Sequence, residues 1–176
     1  DNIAIGNDAL DANTTGSTNL GMGRNALGAC TTGSNNTALG HSTLLNMTTA
    51  NNNVAVGRDA LENSTSSNQV AVGFKALEAN TSGNRNTALG YSTLLLNTTG
   101  DDNTAVGQSA LDANTTGSSN TAVGKEALGA NTTGNNNTGI GVDTLKTNTT
   151  GSHNVAIGLN ALETSNADNN VAIGVD

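Results

Sequence analysis

The chain has 176 residues with 22 glycines, no proline, no tryptophan, one phenylalanine and one tyrosine, and 11% of its residues are charged. It therefore has too few large apolar side chains for the core of an ordinary globular domain. Its 14 acidic and 6 basic residues give a net charge of −8, which disfavours a nucleic acid or an anionic membrane as partner. No apolar run approaches the length of a membrane span, so we expect no membrane insertion within this segment.

One repeat fills the whole chain. Its consensus, N-[T/V]-A-[V/I/L]-G-x-x-[A/T]-L-x-x-N-T-T-G-x-x, occurs in ten complete copies and the start of an eleventh, and its positions are numbered 1 to 17 here. The step between copies is 17 residues, except after Asn53 and Asn154, where one residue just after the Leu is expected to be missing. Every copy keeps Gly at position 5 and every complete copy keeps Leu at position 9, so the sequence predicts a fixed structure rather than disorder.

The first four positions of each copy predict a short strand that ends at the Gly of position 5. Alternate side chains of a strand face opposite sides, so positions 2 and 4 share one face. We expect that face to be the interior, with Val106, Val123 and Ile140 as successive members of one buried stack. The Leu of position 9 predicts a second buried stack on the opposite wall, which includes Leu111 and Leu128.

Two turns complete each copy. The Gly of position 5 indicates positive φ or no room for Cβ, and N-T-T-G at positions 12 to 15 indicates a second turn. Two walls and two turns predict an all-β fold, a parallel β-solenoid or β-roll with one repeat per coil and about ten and a half coils. Coils stacked about 4.8 Å apart make a rod on the order of 50 Å long. We expect one domain over residues 1–176. Solenoids need capping repeats at their ends, and the sequence contains no atypical end repeat, so we interpret it as a segment of a longer fibre.

Position 3 holds only Ala or Gly. If positions 2 and 4 lie inside, position 3 faces outward, where small side chains let another backbone approach closely. Two interpretations stay open, namely tight packing at a corner and self-assembly of copies along this stripe. The self-assembly interpretation assigns the stripe to Ala38, Ala55, Ala71, Ala88, Ala105, Ala122 and Ala156.

The segments NNTALG, NNNVAVG and NNTGIG resemble the head repeats of trimeric autotransporter adhesins, the YadA-like head. Similar repeats occur in bacteriophage tail fibres. The resemblance implies self-association as a homotrimer or another parallel bundle, in which β-rolls share one interior. It also implies cell adhesion and a location that is extracellular, on a cell surface or on a virion surface.

The sequence offers no arrangement of residues for catalysis, a cofactor or a metal ion. His41 and His153 lie more than six repeats apart, so a rod cannot bring them into one Ser-His-acid or zinc site. The doublet of Asp101 and Asp102 lacks the spacing of a calcium loop. We therefore predict that the protein is not an enzyme and has no cofactor.

Position 6, next to the predicted Gly corner, varies more than the other positions. It includes both aromatic residues of the chain and one of its two histidines, and His41, Phe74 and Tyr91 are our candidate partner contacts. Variation at an exposed corner is typical of neutral drift, but aromatic and basic residues on a rigid edge also suit contact with a host or surface receptor. The identity of that receptor stays open.

Two functions from different classes follow. We interpret the chain as a structural and adhesive segment of an extracellular or virion surface fibre, either an adhesin head or a tail-fibre shaft. The alternative is an ice-binding β-solenoid that uses stacked Thr columns. Ice binding favours outward Thr residues two positions apart, whereas most Thr residues here are adjacent and so face opposite sides of the chain.

Overall fold

The computed structural model describes residues 1–175, which form a β-solenoid and contain no helix. Each coil contributes one strand of three residues, and the strands are β1 (Ile3–Ile5), β2 (Leu20–Met22), β3 (Thr37–Leu39), β4 (Val54–Val56), β5 (Val70–Val72), β6 (Thr87–Leu89), β7 (Thr104–Val106), β8 (Thr121–Val123), β9 (Thr138–Ile140), β10 (Val155–Ile157) and β11 (Val171–Ile173). They form one parallel sheet in chain order. The predicted fold class is confirmed.

Identical positions of neighbouring coils lie on one another, as Ala105 lies opposite Ala122. Hydrogen bonds outside the strands also run between coils, and Thr132 N donates to Thr149 O at 2.8 Å. Each coil therefore relies on its neighbours to pair backbone groups that cannot be left unpaired when buried. This dependence explains why the chain repeats one sequence.

Leu side chains from position 9 and Ala side chains from positions 3 and 8 fill the interior. Leu128, Ala105 and Ala122 have no exposed surface. Leu128 points at position 3 of the next coil, where a Cβ added to Gly139 would lie 3.5 Å from Leu128 Cγ. The space beside each Leu holds a methyl group and little more, so position 3 is restricted to Ala or Gly.

The strand face that we predicted to be interior is the outer face. Val106, Val123 and Ile140 are 37%, 36% and 39% exposed, whereas Ala105 between the two ends of its strand is fully buried. Side chains alternate between the two faces as predicted, but positions 2 and 4 lie on the outer face and position 3 lies on the inner face. A coil this thin has no room for Val or Ile from one wall against Leu from the other.

The prediction of an outward stripe at position 3 is therefore wrong. The residues assigned to it are all 0% exposed within a single chain, and they are Ala38, Ala55, Ala71, Ala88, Ala105, Ala122 and Ala156. A second copy cannot contact these side chains unless the coil opens. The position 3 column belongs to the core of each chain and is not a surface for self-assembly.

The backbone turns sharply after each strand. Gly107 has a φ of 132°, and a Cβ at this position would lie 2.5 Å from Gly124 O of the next coil. Leu128 has a φ of 53°, which is rare for a large side chain. This conformation turns the Leu side chain into the coil, where its burial and the bond from Leu128 N to Thr144 O, 2.8 Å long, hold it.

The two short coils cover residues 53–68 and 154–169. In the first, Asn53 Nδ2 donates to Ser66 O at 3.0 Å, as Asn120 Nδ2 donates to Gly134 O in a full coil. Ser66 thus occupies position 15, and the missing residue is position 14 of the N-T-T-G turn rather than the residue just after the Leu. Position 14 is exposed in full coils, as at Thr116, so its loss leaves the interior intact.

Candidate interaction surfaces

The outer face of the sheet carries two parallel columns of side chains, the first and last residues of strands β1 to β11. We call these columns the outer stripe. They contain only Ile, Leu, Met, Val and Thr, and none of their residues is charged. The last residue of every strand is apolar, and the first residue is either apolar or Thr.

Much of the outer stripe is in contact with solvent. Leu39, Leu89 and Ile140 are each about two-fifths exposed. Strand spacing of about 4.8 Å makes the stripe on the order of 50 Å long. Soluble monomers rarely expose a contiguous apolar area of that extent. The stripe is therefore chemically suited to burial against another apolar surface.

Sequence reasoning missed the outer stripe because it placed these residues inside. One signal in the sequence could have revealed it. Every complete repeat has Leu at position 9 and Ala or Gly at position 3. Large and small residues on facing walls pack against each other, so this combination indicates that position 3 faces the Leu in the interior.

At the position 6 corner, the structure brings Phe74 and Tyr91 together. Their rings stack with centroids 5.4 Å apart and 20° between the ring planes. The guanidinium carbon of Arg58, one coil earlier, lies 5.9 Å from the Phe74 ring centroid. We call Arg58, Phe74 and Tyr91 the corner stack. His41 lies one coil before Arg58, so it shares the edge of the rod but does not contact the two rings.

Charges around the corner stack are paired with one another. Arg58 Nε lies 3.1 Å from Asp59 Oδ2, and His41 Nδ1 lies 3.8 Å from Asp59 Oδ1. Lys75 Nζ lies 3.0 Å from Glu78 Oε1, and this hydrogen bond raises the pKa of Lys75. The corner therefore presents aromatic surface with little unpaired charge.

A shallow notch of about 380 Å³ opens at Gly129, between Asp112 and Lys146 of the neighbouring coils. Lys146 Nζ contacts Glu126 Oε2 at 2.7 Å and Asp143 Oδ1 at 3.1 Å. These contacts raise the pKa of Lys146 to about 12. Burial raises the pKa of the Asp112 carboxyl, with a further contribution from the Glu126 charge.

The other chemically distinctive side chains serve the interior. Cys30 is buried at position 12, where most coils have Asn, and burial raises the pKa of its thiol. Among residues 1–175, no group of three or more His, Cys, Asp or Glu side chains could hold a metal ion. The same residues include no helix that is long and apolar enough to cross a membrane.

Comparisons with known proteins found no relatives. No family model matches the chain. No curated protein and no solved structure matches it either. The likeness to YadA-like head repeats thus depends on the motifs alone, and any role for the outer stripe or the corner stack must be argued from their chemistry.

Proposed function

We propose that the chain is a non-enzymatic structural segment of a surface fibre, in which parallel copies pack through their outer stripes. The observation that supports this function is the length of the outer stripe, which is free of charge and apolar except for its Thr residues. Each coil has a thin interior of Leu and Ala, and small cores of this kind gain stability from burial against a partner. The outer stripe takes the place of the alanine column as the surface for self-assembly.

A parallel arrangement suits the repeat. Two parallel copies present the same apolar side chains with the same spacing of about 4.8 Å, so every coil of one copy can pack against a coil of the next. The resemblance to adhesin head repeats implies three copies, cell adhesion, and a location outside the cell or on a virion. In this proposal the corner residues point away from the shared axis and are available to a receptor.

The mass in solution tests this function. We expect the wild-type chain to sediment at a multiple of 17.4 kDa, and at three times that mass if it is a homotrimer. Val106→Arg combined with Val123→Arg places two charges on the outer stripe and should reduce the mass to that of one chain. Thr99→Arg combined with Thr116→Arg, at exposed positions outside the stripe, is the matched control and should keep the assembly. A wild-type chain that sediments as a monomer contradicts the proposal.

Ice binding is the second candidate, and one observation favours it. The outer stripe is regular and includes outward Thr residues, which are Thr37, Thr87, Thr104, Thr121 and Thr138. However, the other column of the stripe is apolar in every coil, so paired outward hydroxyls are absent. The Thr column of position 13 uses its hydroxyls within the rod, and Thr98 Oγ1 donates to Thr115 O at 3.0 Å. Thermal hysteresis in a solution of monomeric chain would support ice binding over the fibre.

A further inference from the structure

The notch at Gly129 is a gap in the column of side chains at position 10. Other coils have a long side chain there, such as Glu62, Leu95 or Lys146. The coil that contains Gly129 forms the same turn without one. The resulting notch of about 380 Å³ is at the lower end of the range of about 300–1,000 Å³ for ligand pockets. A single chain therefore has space for a ligand group on its surface.

A second Gly at position 10 shows that the residue type alone does not produce the notch. Gly28 is covered by Leu45 of the next coil, because a Cβ added to Gly28 would lie 3.2 Å from Leu45 Cδ1. At Gly129 the side-chain atom nearest to such a Cβ is Asp112 Oδ1, at 3.7 Å. The space at Gly129 is therefore bordered by a carboxylate, where the space at Gly28 is filled by an apolar side chain.

One negative charge at the notch lacks a partner. Lys146 Nζ turns toward Glu126 Oε2 and Asp143 Oδ1, at 2.7 and 3.1 Å. Lys125 Nζ also contacts Glu126, with Oε1 at 3.2 Å. Within residues 1–175, Asp112 forms no ion pair. These three carboxylates and two ammonium groups leave one net negative charge, and it lies at Asp112.

The other polar atoms of the notch accept hydrogen bonds. Ser109 Oγ has lone pairs that accept. Thr147 Oγ1 donates to Glu163 O at 2.8 Å and still has lone pairs of its own. The burial that raises the pKa of Asp112 also restricts water in the notch. A guanidinium group is more weakly hydrated than an ammonium group, so it enters such a site more readily.

From these features we infer that the notch at Gly129 binds the guanidinium group of an arginine side chain from another protein. This group is planar, so it can fill the slot left by one missing side chain and donate two parallel hydrogen bonds to the Asp112 carboxylate. The chain's own Arg24, Arg58 and Arg85 lie at least three coils from Gly129. A parallel copy packed in register therefore cannot supply the arginine.

This site does not depend on the fibre proposal. The notch is formed by residues of positions 7, 10 and 11, whereas the outer stripe consists of positions 2 and 4. Both surfaces can therefore be occupied in one molecule. Parallel copies would present several notches side by side and increase the affinity for a partner with several exposed arginines.

An NMR titration of isotope-labelled chain with the peptide acetyl-Gly-Arg-Gly-amide tests the inference. We expect saturable shifts of the backbone amide signals of Gly129 and its neighbours. The peptide acetyl-Gly-Lys-Gly-amide has the same charge and should bind at least about threefold more weakly, because its ammonium group cannot form the paired hydrogen bonds.

Three variants locate the binding site. Asp112→Asn removes the charge, keeps the shape and should weaken binding of the Arg peptide at least about tenfold. Gly129→Leu fills the notch with a side chain that another coil has at Leu95, and it should abolish binding. Asp11→Asn is the matched control, because Asp11 is also at position 10 and precedes the covered Gly28. It should bind as wild type does.

Two results would overturn the inference. One is a wild-type chain that shows no saturable shift at Gly129 up to about 10 mM Arg peptide. The other is equal affinity of Asp112→Asn and wild type, with unfolding temperatures that show both chains to be folded. The mass of each sample in solution separates this question from fibre assembly, because a chain that fails to self-associate should still bind the peptide.

Discussion

Asn137 lies on Asn120 inside the rod, and the Asn137 backbone N–H donates to Asn120 Oδ1 at 3.0 Å. Asn120 Nδ2 in turn donates to Asn103 Oδ1 at 3.1 Å and to Gly134 O at 2.9 Å. The three Asn residues have no exposed surface. One side chain therefore connects three successive coils, and this polar ladder stabilises an interior that holds few large apolar groups.

Asn120→Ala should destabilise the rod by about 2–3 kcal/mol, because it leaves the buried Asn137 N–H without an acceptor. The midpoint of urea unfolding, followed by circular dichroism, measures this loss. Thr116→Ala changes an exposed residue and should alter the stability by no more than about 0.5 kcal/mol. Equal midpoints for the two variants would show that the ladder does not stabilise the fold.

A pair of variants at adjacent residues tests which strand face is interior. Ala105→Arg places a charge in a fully buried position and should remove most of the strand signal, because a buried unpaired charge is strongly unfavourable. Val106→Arg places the same charge on the outer stripe and should keep the strand signal. Circular dichroism of the two variants at equal chain concentration compares them. Loss of strand signal in Val106→Arg alone would reverse our assignment of the faces.

The sequence was sufficient to predict the repeat, the parallel stacking, the Gly corner and the buried Leu column, because equal positions of equal coils must stack. The alternation within each strand did not decide which side is interior. Because side chains alternate along a strand, Ala105 and Val106 must lie on opposite faces, but the alternation does not indicate which of them faces the core. That choice depends on the width of the coil and on the positive φ of Leu128, 53°, and neither follows from local propensity.

The candidate surfaces were predictable to different degrees. The contact between Phe74 and Tyr91 follows from their shared position in successive repeats, once one repeat is known to form one coil. His41 lies on the same edge but two coils from Phe74, and its role as a partner contact stays a prediction. The outer stripe was missed because it depends on the choice of faces, and the small residue at position 3 together with Leu at position 9 was the one signal for that choice.

Cys30 should resist alkylation in the folded rod. Its thiol is buried and its pKa is raised, mainly by burial, so the reactive thiolate is scarce and inaccessible. Iodoacetamide at pH 8 should modify the protein only after urea is added, and mass spectrometry follows the reaction. Modification of native protein at the rate of an unfolded peptide would contradict the burial of this column.

Asp112 and Asp102 should affect stability in opposite directions at neutral pH. Burial raises the pKa of Asp112 in the folded rod, so the folded state binds its proton more tightly than the unfolded chain. Stability therefore decreases as the pH rises from the ordinary Asp value of 3.8 through the raised folded value, and the loss is complete above it. Asp112→Asn should increase the unfolding temperature at pH 7 and have little effect at pH values below this window.

For Asp102 the sign is reversed, because a hydrogen bond from Arg85 Nε, 2.6 Å long, lowers the pKa of its carboxyl. Its contribution to stability is present above the ordinary Asp value and is lost as the pH falls through the lowered folded value. Asp102→Asn should therefore decrease the unfolding temperature slightly at pH 7, with a small effect because the pair is exposed and screened by solvent. Unfolding temperatures of both variants from pH 2 to pH 8 check the two signs. If Asp112→Asn lowers the unfolding temperature at pH 7, the Asp112 carboxylate has a stabilising partner and the notch at Gly129 does not disfavour its charge.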